Sequence, residues 1–464
     1  MFIACAWLFM LTKHTDCYRI FVSGNARSIG KKADYMGRHG KFLAVVVLMW
    51  FSQYVFIPYF TPYLMAIGIA GTTTGAILGT YGFSQTLLRI PFGVAANRSG
   101  NHRAFMLSGF VCLIVSGIIL CLFTHPAAYF IARFLAGVSS ATWVSFTVYY
   151  AGLFPENETG RAIAAIMMAS NMGTLLSYIF GIFIFDVLGI GFMFAVSAVS
   201  AVAGLALLAS IKSGAPGAGD AAGAEDSVGS FTPVNKAAAA STPDGSAVPA
   251  ADGAVPADAA KPARGGMDLK AFAKVIGNRS LLLFSAIAAL KQIITFATAM
   301  SFTSDFARNR FGAGGSELAL LSMLYSFACI IGAYWVRTRL SERIPQKYQI
   351  AGAFALSALY CLIVPNSGAI WVLFIMQFIG GFGQAAAMTL TMALALGGVP
   401  QSGRSAAMGI YQCIYGIGMT LGPVMMGGFL DIFGRFDAAC AVFAVICLGG
   451  LLLSATAIRR KSPA

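Results

Sequence analysis

The chain of 464 residues is 58% hydrophobic and only 10% charged, whereas soluble domains carry roughly 25% charged residues. Its mean hydropathy of +0.78 leaves too little polar surface to coat a water-soluble globule, which excludes soluble enzymes, nucleic-acid binders and secreted disulfide scaffolds. The net charge of +14 is concentrated in loops and reads as membrane topology, not as a nucleic-acid footprint. In lipid every backbone polar group must be satisfied within helices or a closed barrel. The apolar stretches run to about twenty residues without dyad alternation, which selects helices.

The first forty residues open on MFIACAWLFMLT, apolar but too short to span. No charged region precedes it, so a signal peptide fits poorly. It reads either as an interfacial helix or as an early start, with Met36 in MGRHGK the tidier cytoplasmic beginning. Six candidate spans follow at 42–69, 74–97, 104–124, 126–153, 162–185 and 189–211. Six more lie at 280–303, 315–336, 348–365, 368–398, 405–430 and 437–458. They are called spans 1 to 12 below. Between the two sets, 212–268 is rich in Ala, Gly, Pro, Ser and Asp and has no apolar periodicity. Such a segment cannot bury enough surface to offset its chain entropy and is expected to be a disordered linker. Lys270, Lys274 and Arg279 then lead into the second set, so the linker as a whole is placed at 212–279.

Basic residues set the orientation. They cluster before span 1, after every even-numbered span and after span 12: Arg98 and Arg103, Arg161, Arg337 to Lys347, Arg404, and Arg459 to Lys461. The other side carries Arg308, Arg310 and Arg435. Both termini, including 1–41 and the tail 459–464, are therefore expected in the cytoplasm.

The halves repeat. WFSQYVFIP (50–58) corresponds to ALKQIITFA (289–297), and the same shift carries Gly93 onto Gly332 and Arg98 onto Arg337. RFLAG (133–137) matches QFIGG (377–381), FPENETGRAIA (154–164) matches VPQSGRSAA (399–407), and IFDVLG (184–189) matches FLDIFG (429–434). An even number of spans per half makes this a parallel duplication. The predicted architecture is all-α, twelve transmembrane helices in two pseudo-symmetric six-helix bundles, 42–211 and 280–458.

On these motifs the sequence resembles the major facilitator superfamily of secondary transporters over about 42–460. The loop GVAANRSGNHR (93–103) is similar to that family's signature Gly-x-x-x-Asp-Arg-x-Gly-Arg-Arg, with Asn97 in place of the usual Asp and Asn101/His102 in place of a basic pair. The resemblance implies that Gly93 packs spans 2 and 11 closely, and that Asn97, Arg98, Gly100 and Arg103, with Arg89 nearby, form a cytoplasmic gate. Without a carboxylate at 97 that latch is weaker. Arg133-Phe-Leu-Ala-Gly137 is similar to the family's Arg-x-x-x-Gly motif. Span 5 carries NMGTLLSYIFG (171–181) and lacks the Gly-Pro pair of the family's drug/proton antiporters. The implied fold has spans 1, 4, 7 and 10 lining a central cavity.

Charge inside a bilayer costs about 2.5–3.5 kcal/mol per group even on lenient scales, so Arg89, Arg133 and Lys291 are functional candidates. No Asp or Glu is expected deep in a span; Asp186 and Asp431 fall at the outer ends of spans 5 and 11. The resulting positive cavity points to an anionic substrate such as a small carboxylate. Lys291 and Gln292 in span 7, and Ser52 and Gln53 at the matching depth of span 1, are the leading contacts, followed by Tyr54, Arg133, Asn171, Gln377 and Gln384. Tyr325 and Gln412 lie at similar depth. Each polar side chain has the alternative of interhelical glue, worth about 0.6 kcal/mol on average.

The nine cysteines form no CxxC pair and the four histidines are isolated, so no metal, cofactor or enzyme site is expected. With no GxxxxGK[ST], ATP-driven pumping is excluded. The reading is a secondary transporter, monomeric, embedded in lipid, with anion selectivity set by the cations. Its partner is a coupling ion or a counter-substrate. The alternatives are an exporter of apolar compounds, given the 37 Phe and 20 Met, and a non-transporting sensor.

Overall fold

The computed structural model describes residues 27–154, 159–211, 277–336, 338, 341, 343–399 and 404–457. The first twenty-six residues and nearly all of the expected linker lie outside that set. The described residues are helical almost throughout, with no strand among them. Nine helices among them are long and apolar enough to cross a membrane.

Spans 3, 8, 10, 11 and 12 are single helices: His102–Leu122, Gly315–Trp335, Ile370–Gly397, Arg404–Phe433 and Phe436–Ala457. Span 2 (Gly71–Ser99) and span 9 (Gln346–Ile363) are helical but less apolar. Spans 5 and 6 fall in one helix, Thr159–Ser210, broken at Gly189 where φ is 69°. Only glycine enters that backbone region without a Cβ penalty. Its repeat equivalent Gly434, at φ 64°, stands between spans 11 and 12.

Three spans are interrupted. Span 4 is Pro126–Ala141 followed by Trp143–Ala151. Span 1 is Arg27–Tyr54 followed by Ile57–Ala66, so its helix starts well before the expected 42. Span 7 is Arg279–Ala297, a π turn at Thr298–Phe302, and Thr303–Phe311. It therefore outruns its expected end at 303 and carries Asp305 into the helix, 8% exposed. Asp305 thus stands in the outer part of span 7, towards the end at Phe311.

Within the N-terminal half, span 1 packs on the helix of spans 5 and 6, span 2 on span 4, and span 3 on spans 4 and 6. The C-terminal half repeats this: span 7 on span 11, span 8 on span 10, and span 9 on spans 10 and 12. Between the halves, span 2 packs on span 11 and the helix of spans 5 and 6 packs on span 8. These two contacts are equivalents under the repeat.

Small residues bring spans 2 and 11 to backbone contact. A Cβ on Gly75 would lie 2.7 Å from the Pro423 carbonyl carbon, and one on Gly82 would lie 2.9 Å from Met419 Cβ. Gly71 and Gly79 make similarly close approaches to Gly427 and Thr420. The spacing of four, four and three residues places all of them on one face. Gly93 is not among them. A Cβ there would meet only Val144 Cγ1 of span 4, at 3.6 Å, inside its own half. Its role in packing span 2 against span 11 is thus corrected: one face of a helix cannot serve both neighbours.

Candidate substrate site and gates

Lys291 lies midway along Arg279–Ala297 and is 1% exposed. The more open residues of that helix, Ala286, Leu290, Ile293 and Phe296, form one stripe. With 3.6 residues per turn, Lys291 is on the opposite side. Its ammonium donates to Ser357 Oγ of span 9 at 2.5 Å. Beside it is a cavity of about 10 Å³ bordered by Thr295, Tyr325, Ser357 and Tyr360, room for about one water molecule. Lys291 is therefore held in the interior of the C-terminal half. Ser52, its repeat equivalent, also faces inward: it donates to the Ser197 carbonyl at 2.8 Å, and Ser197 Oγ donates to the Ser52 carbonyl at 2.7 Å.

This placement carries a prediction. Ser357→Ala leaves a buried ammonium without its acceptor and is expected to lower stability by about 1–3 kcal/mol. Lys291→Met removes the charge at nearly equal length and is expected to leave stability unchanged or raised, because an apolar replacement of a buried charge is often neutral or stabilising. Thermal unfolding of both purified variants checks the pair. A Lys291→Met protein much less stable than Ser357→Ala would contradict it.

The glutamines form a network in the C-terminal half. Gln384 Nε2 donates to Gln292 Oε1 at 2.7 Å, and Thr295 Oγ1 donates to Gln384 Oε1 at 2.7 Å, tying span 7 to span 10. Gln377 Nε2 donates to the Ala299 carbonyl inside the π turn at 3.1 Å. A π turn shifts the backbone ladder by a residue, and Gln377 supplies a partner there. Its Oε1 is buried without one. Tyr325 borders the small cavity and Gln412 is buried at 7% exposure.

In the N-terminal half, the Arg133 guanidinium carbon lies 4.6 Å from the centroid of the Tyr81 ring, and the side chain is 7% exposed. Tyr81 in turn bonds Ser140 through their hydroxyls at 2.9 Å. Tyr54 is a second electrostatic neighbour of Arg133 and stacks on Trp50 at 5.6 Å. Arg133 Nε and both polar side-chain atoms of Gln53 are buried without a hydrogen-bond partner. Arg89 crosses between the halves, donating from Nη1 to the Tyr415 hydroxyl of span 11 at 3.3 Å. Neither Arg89, Arg133 nor Lys291 has a carboxylate partner among the described residues. Asn171 is exposed on span 5.

The signature loop is built for turning. Gly100 caps span 2 at φ 65°, and Asn101 Oδ1 accepts from Ala104 N at 3.1 Å to start span 3. Asn97 and Arg98 are exposed. Arg103 Nη2 donates to the Ala209 carbonyl at 2.9 Å and to Leu208 at 3.4 Å. These are the last carbonyls of span 6, where a cation suits the negative end of the helix. Of the residues expected in the gate, Arg89 bridges the halves through Tyr415, whereas Arg103 bonds span 6 of its own half.

Sequence reasoning missed Asp305. Its Oδ2 accepts from Asn309 Nδ2 at 3.1 Å, one helical turn on, and that four-residue spacing was the available signal. Among the described residues, no group of three or more His, Cys, Asp or Glu is placed to hold a metal ion.

Two repeated halves, broken first helices and mid-depth cations define a membrane transporter of the two-bundle kind. The Major Facilitator Superfamily model matches residues 42–303 and 280–464, and the chain belongs to that family. The MFS-type transporter ppzB of Metarhizium rileyi is 30% identical over 127 residues, 27% of this chain and 26% of the relative, so about a quarter of that relative's length is covered. The inner membrane transport protein YajR of Escherichia coli is 24% identical over 156 residues, 33% of this chain and 34% of the relative. Among solved structures, the nucleoside transporter NupG superposes with a TM-score of 0.66 at 12% identity, covering 90% of this chain and 97% of that one. A POT family transporter in complex with 5-aminolevulinic acid gives 0.64 at 16% identity, covering 90% and 94%. At such identities the solved structures speak to the fold.

Proposed function

We propose that the protein is a secondary active transporter that moves a small organic anion by alternating access, with Arg133 as the charge that meets it. One observation carries this reading: Arg133 is desolvated, stacked on Tyr81 and without a carboxylate partner among the described residues. A buried cation is costly unless paired, and a substrate carboxylate is the complementary group. Tyr54, Gln53 and Arg89 are proposed for the N-terminal side of the site, and Gln292, Gln377 and Gln384, bonded within the C-terminal half, for its C-terminal side. Lys291 and Ser52 are held inside their bundles by Ser357 and Ser197, and Asn171, exposed on span 5, is a further proposed contact. The bundles 42–211 and 280–458 rock about this site, coupled to an ion or a counter-substrate, with the linker 212–279 and both termini in the cytoplasm. The excess of basic residues on the terminal face supports that orientation.

A thermal-shift screen of the purified protein against anionic metabolites tests the reading. A ligand at 100 times its dissociation constant adds about 2.7 kcal/mol of stability. Hits should then show counterflow in proteoliposomes. Stabilisation by apolar compounds alone would overturn the anion assignment, and binding without counterflow would overturn transport.

A further inference from the structure

We infer that Asp186 and Asp431 are paired latches that hold the two halves together on the face opposite the termini, and that this face opens only when both release. Each carboxylate sits at the end of a helix in one half and caps the first turn of a helix in the other. Asp431, at the end of span 11, accepts from Gly71 N at 2.8 Å, Thr72 N at 2.7 Å and Thr72 Oγ1 at 2.6 Å. Asp186, at the end of span 5, accepts from Gly315 N at 2.6 Å and Ser316 N at 3.0 Å. Spans 2 and 8 begin at Gly71 and Gly315, so these amides belong to the first turn, which has no carbonyl partner within its own helix. The positive end of the helix and the carboxylate reinforce one another.

The two contacts are one device used twice. Asp186 and Asp431 are equivalents in the repeat, and so are the helices they cap. A glycine receives each carboxylate: a Cβ on Gly71 would lie 2.8 Å from Asp431 Oδ1, and one on Gly315 would lie 2.7 Å from Asp186 Oδ1. The outer parts of spans 1 and 7, Ile57–Ala66 and Thr303–Phe311, also touch one another on this face. On the terminal side Arg89 crosses from span 2 to the Tyr415 hydroxyl of span 11, while Asn97 and Arg98 are exposed, so that side shows no matched pair of carboxylate caps among the described residues. Rigid halves that rock about their shared contacts cannot open the latched face by breaking one capping contact alone.

The inference rests on the alternating-access reading, but its test needs no substrate. Hydrogen–deuterium exchange would be measured on the full-length protein in lipid nanodiscs, for Asp431→Asn and Asp186→Asn. Each variant is expected to speed exchange about tenfold at the start of the helix it capped. It should also speed exchange at the start of the other, uncontacted helix, and slow it across 93–103 on the terminal face. A rise confined to the helix that lost its carboxylate would reduce the residues to simple caps and overturn the latch, as would no change at all. If the Asn variants do not fold, Thr72→Val removes one of the donors to Asp431 and keeps the carboxylate. It should give the same two-helix pattern at about threefold, and a purely local rise there would overturn the proposal equally. Because exchange is read without ligand, failure of the anion assignment leaves this result standing, and the reverse also holds.

Discussion

Arg133→Ala is expected to weaken binding of the anionic substrate by about two to three orders of magnitude. The guanidinium is 7% exposed and lies over the Tyr81 ring at 4.6 Å. Removing one member of a buried charge pair costs about 3–5 kcal/mol, because the other is left desolvated and alone. Here the stranded partner would be the substrate carboxylate. Arg133→Lys keeps the charge but loses the planar stack and the two-pronged fork, so it should retain only part of the affinity. The free protein should tolerate Arg133→Ala well, since a costly unpaired cation disappears. Isothermal titration of a hit from the thermal-shift screen, alongside unfolding of the unliganded variant, separates the two effects. Unchanged affinity in a folded Arg133→Ala protein would move the anion contact elsewhere, with Arg89 next in line.

Gly75→Leu is expected to separate spans 2 and 11 and to lower stability by about 3 kcal/mol. The position faces backbone: a Cβ there would lie 2.7 Å from the Pro423 carbonyl carbon and 3.0 Å from Val424 Cα. Backbone at a helix–helix contact cannot rotate away as a side chain can, so the helices must move apart along the glycine row. Transport should fail with packing, because the span 2–span 11 contact is one of the two extensive helix–helix contacts between the halves. Gly93→Ala is the matched control. Its new methyl would meet only Val144 Cγ1 at 3.6 Å, an ordinary contact, and the higher helix propensity of alanine favours it by up to about 1 kcal/mol. The reverse ranking, with Gly93→Ala the more damaging, would mean that the signature loop rather than the glycine row carries this interface.

Much of the architecture was legible because a bilayer imposes long apolar helices, and because a duplicated chain displays its symmetry as repeated motifs. The pairing of Asp186 with Asp431, and of Gly189 with Gly434, came from the sequence and recurs in the fold as matched capping contacts and matched left-handed turns. Span limits were less legible. Span 7 runs on to Phe311 through a π turn that Gln377 satisfies from span 10, and no local pattern encodes a partner so distant along the chain. Span 2, expected at 74–97, is helical over Gly71–Ser99 but less apolar than most spans, being Gly- and Thr-rich where its neighbours rather than lipid cover it.

Composition and repeat thus determined the membrane class, the helical content, the duplicated halves and the short roster of buried cations, since each follows from transfer cost summed along the chain. Which way those cations point was decided by tertiary packing alone. Lys291 and Gln292 are adjacent in sequence, yet one reaches Ser357 of span 9 and the other Gln384 of span 10, because a turn of about 100° separates consecutive side chains on a helix. Packing likewise moved the close span 2–span 11 contact from Gly93 to the row headed by Gly71, and left Arg103 capping its own half. Depth in the bilayer is a one-dimensional property that a sequence records, whereas the face a residue presents depends on how neighbouring helices rotate to bury their small residues.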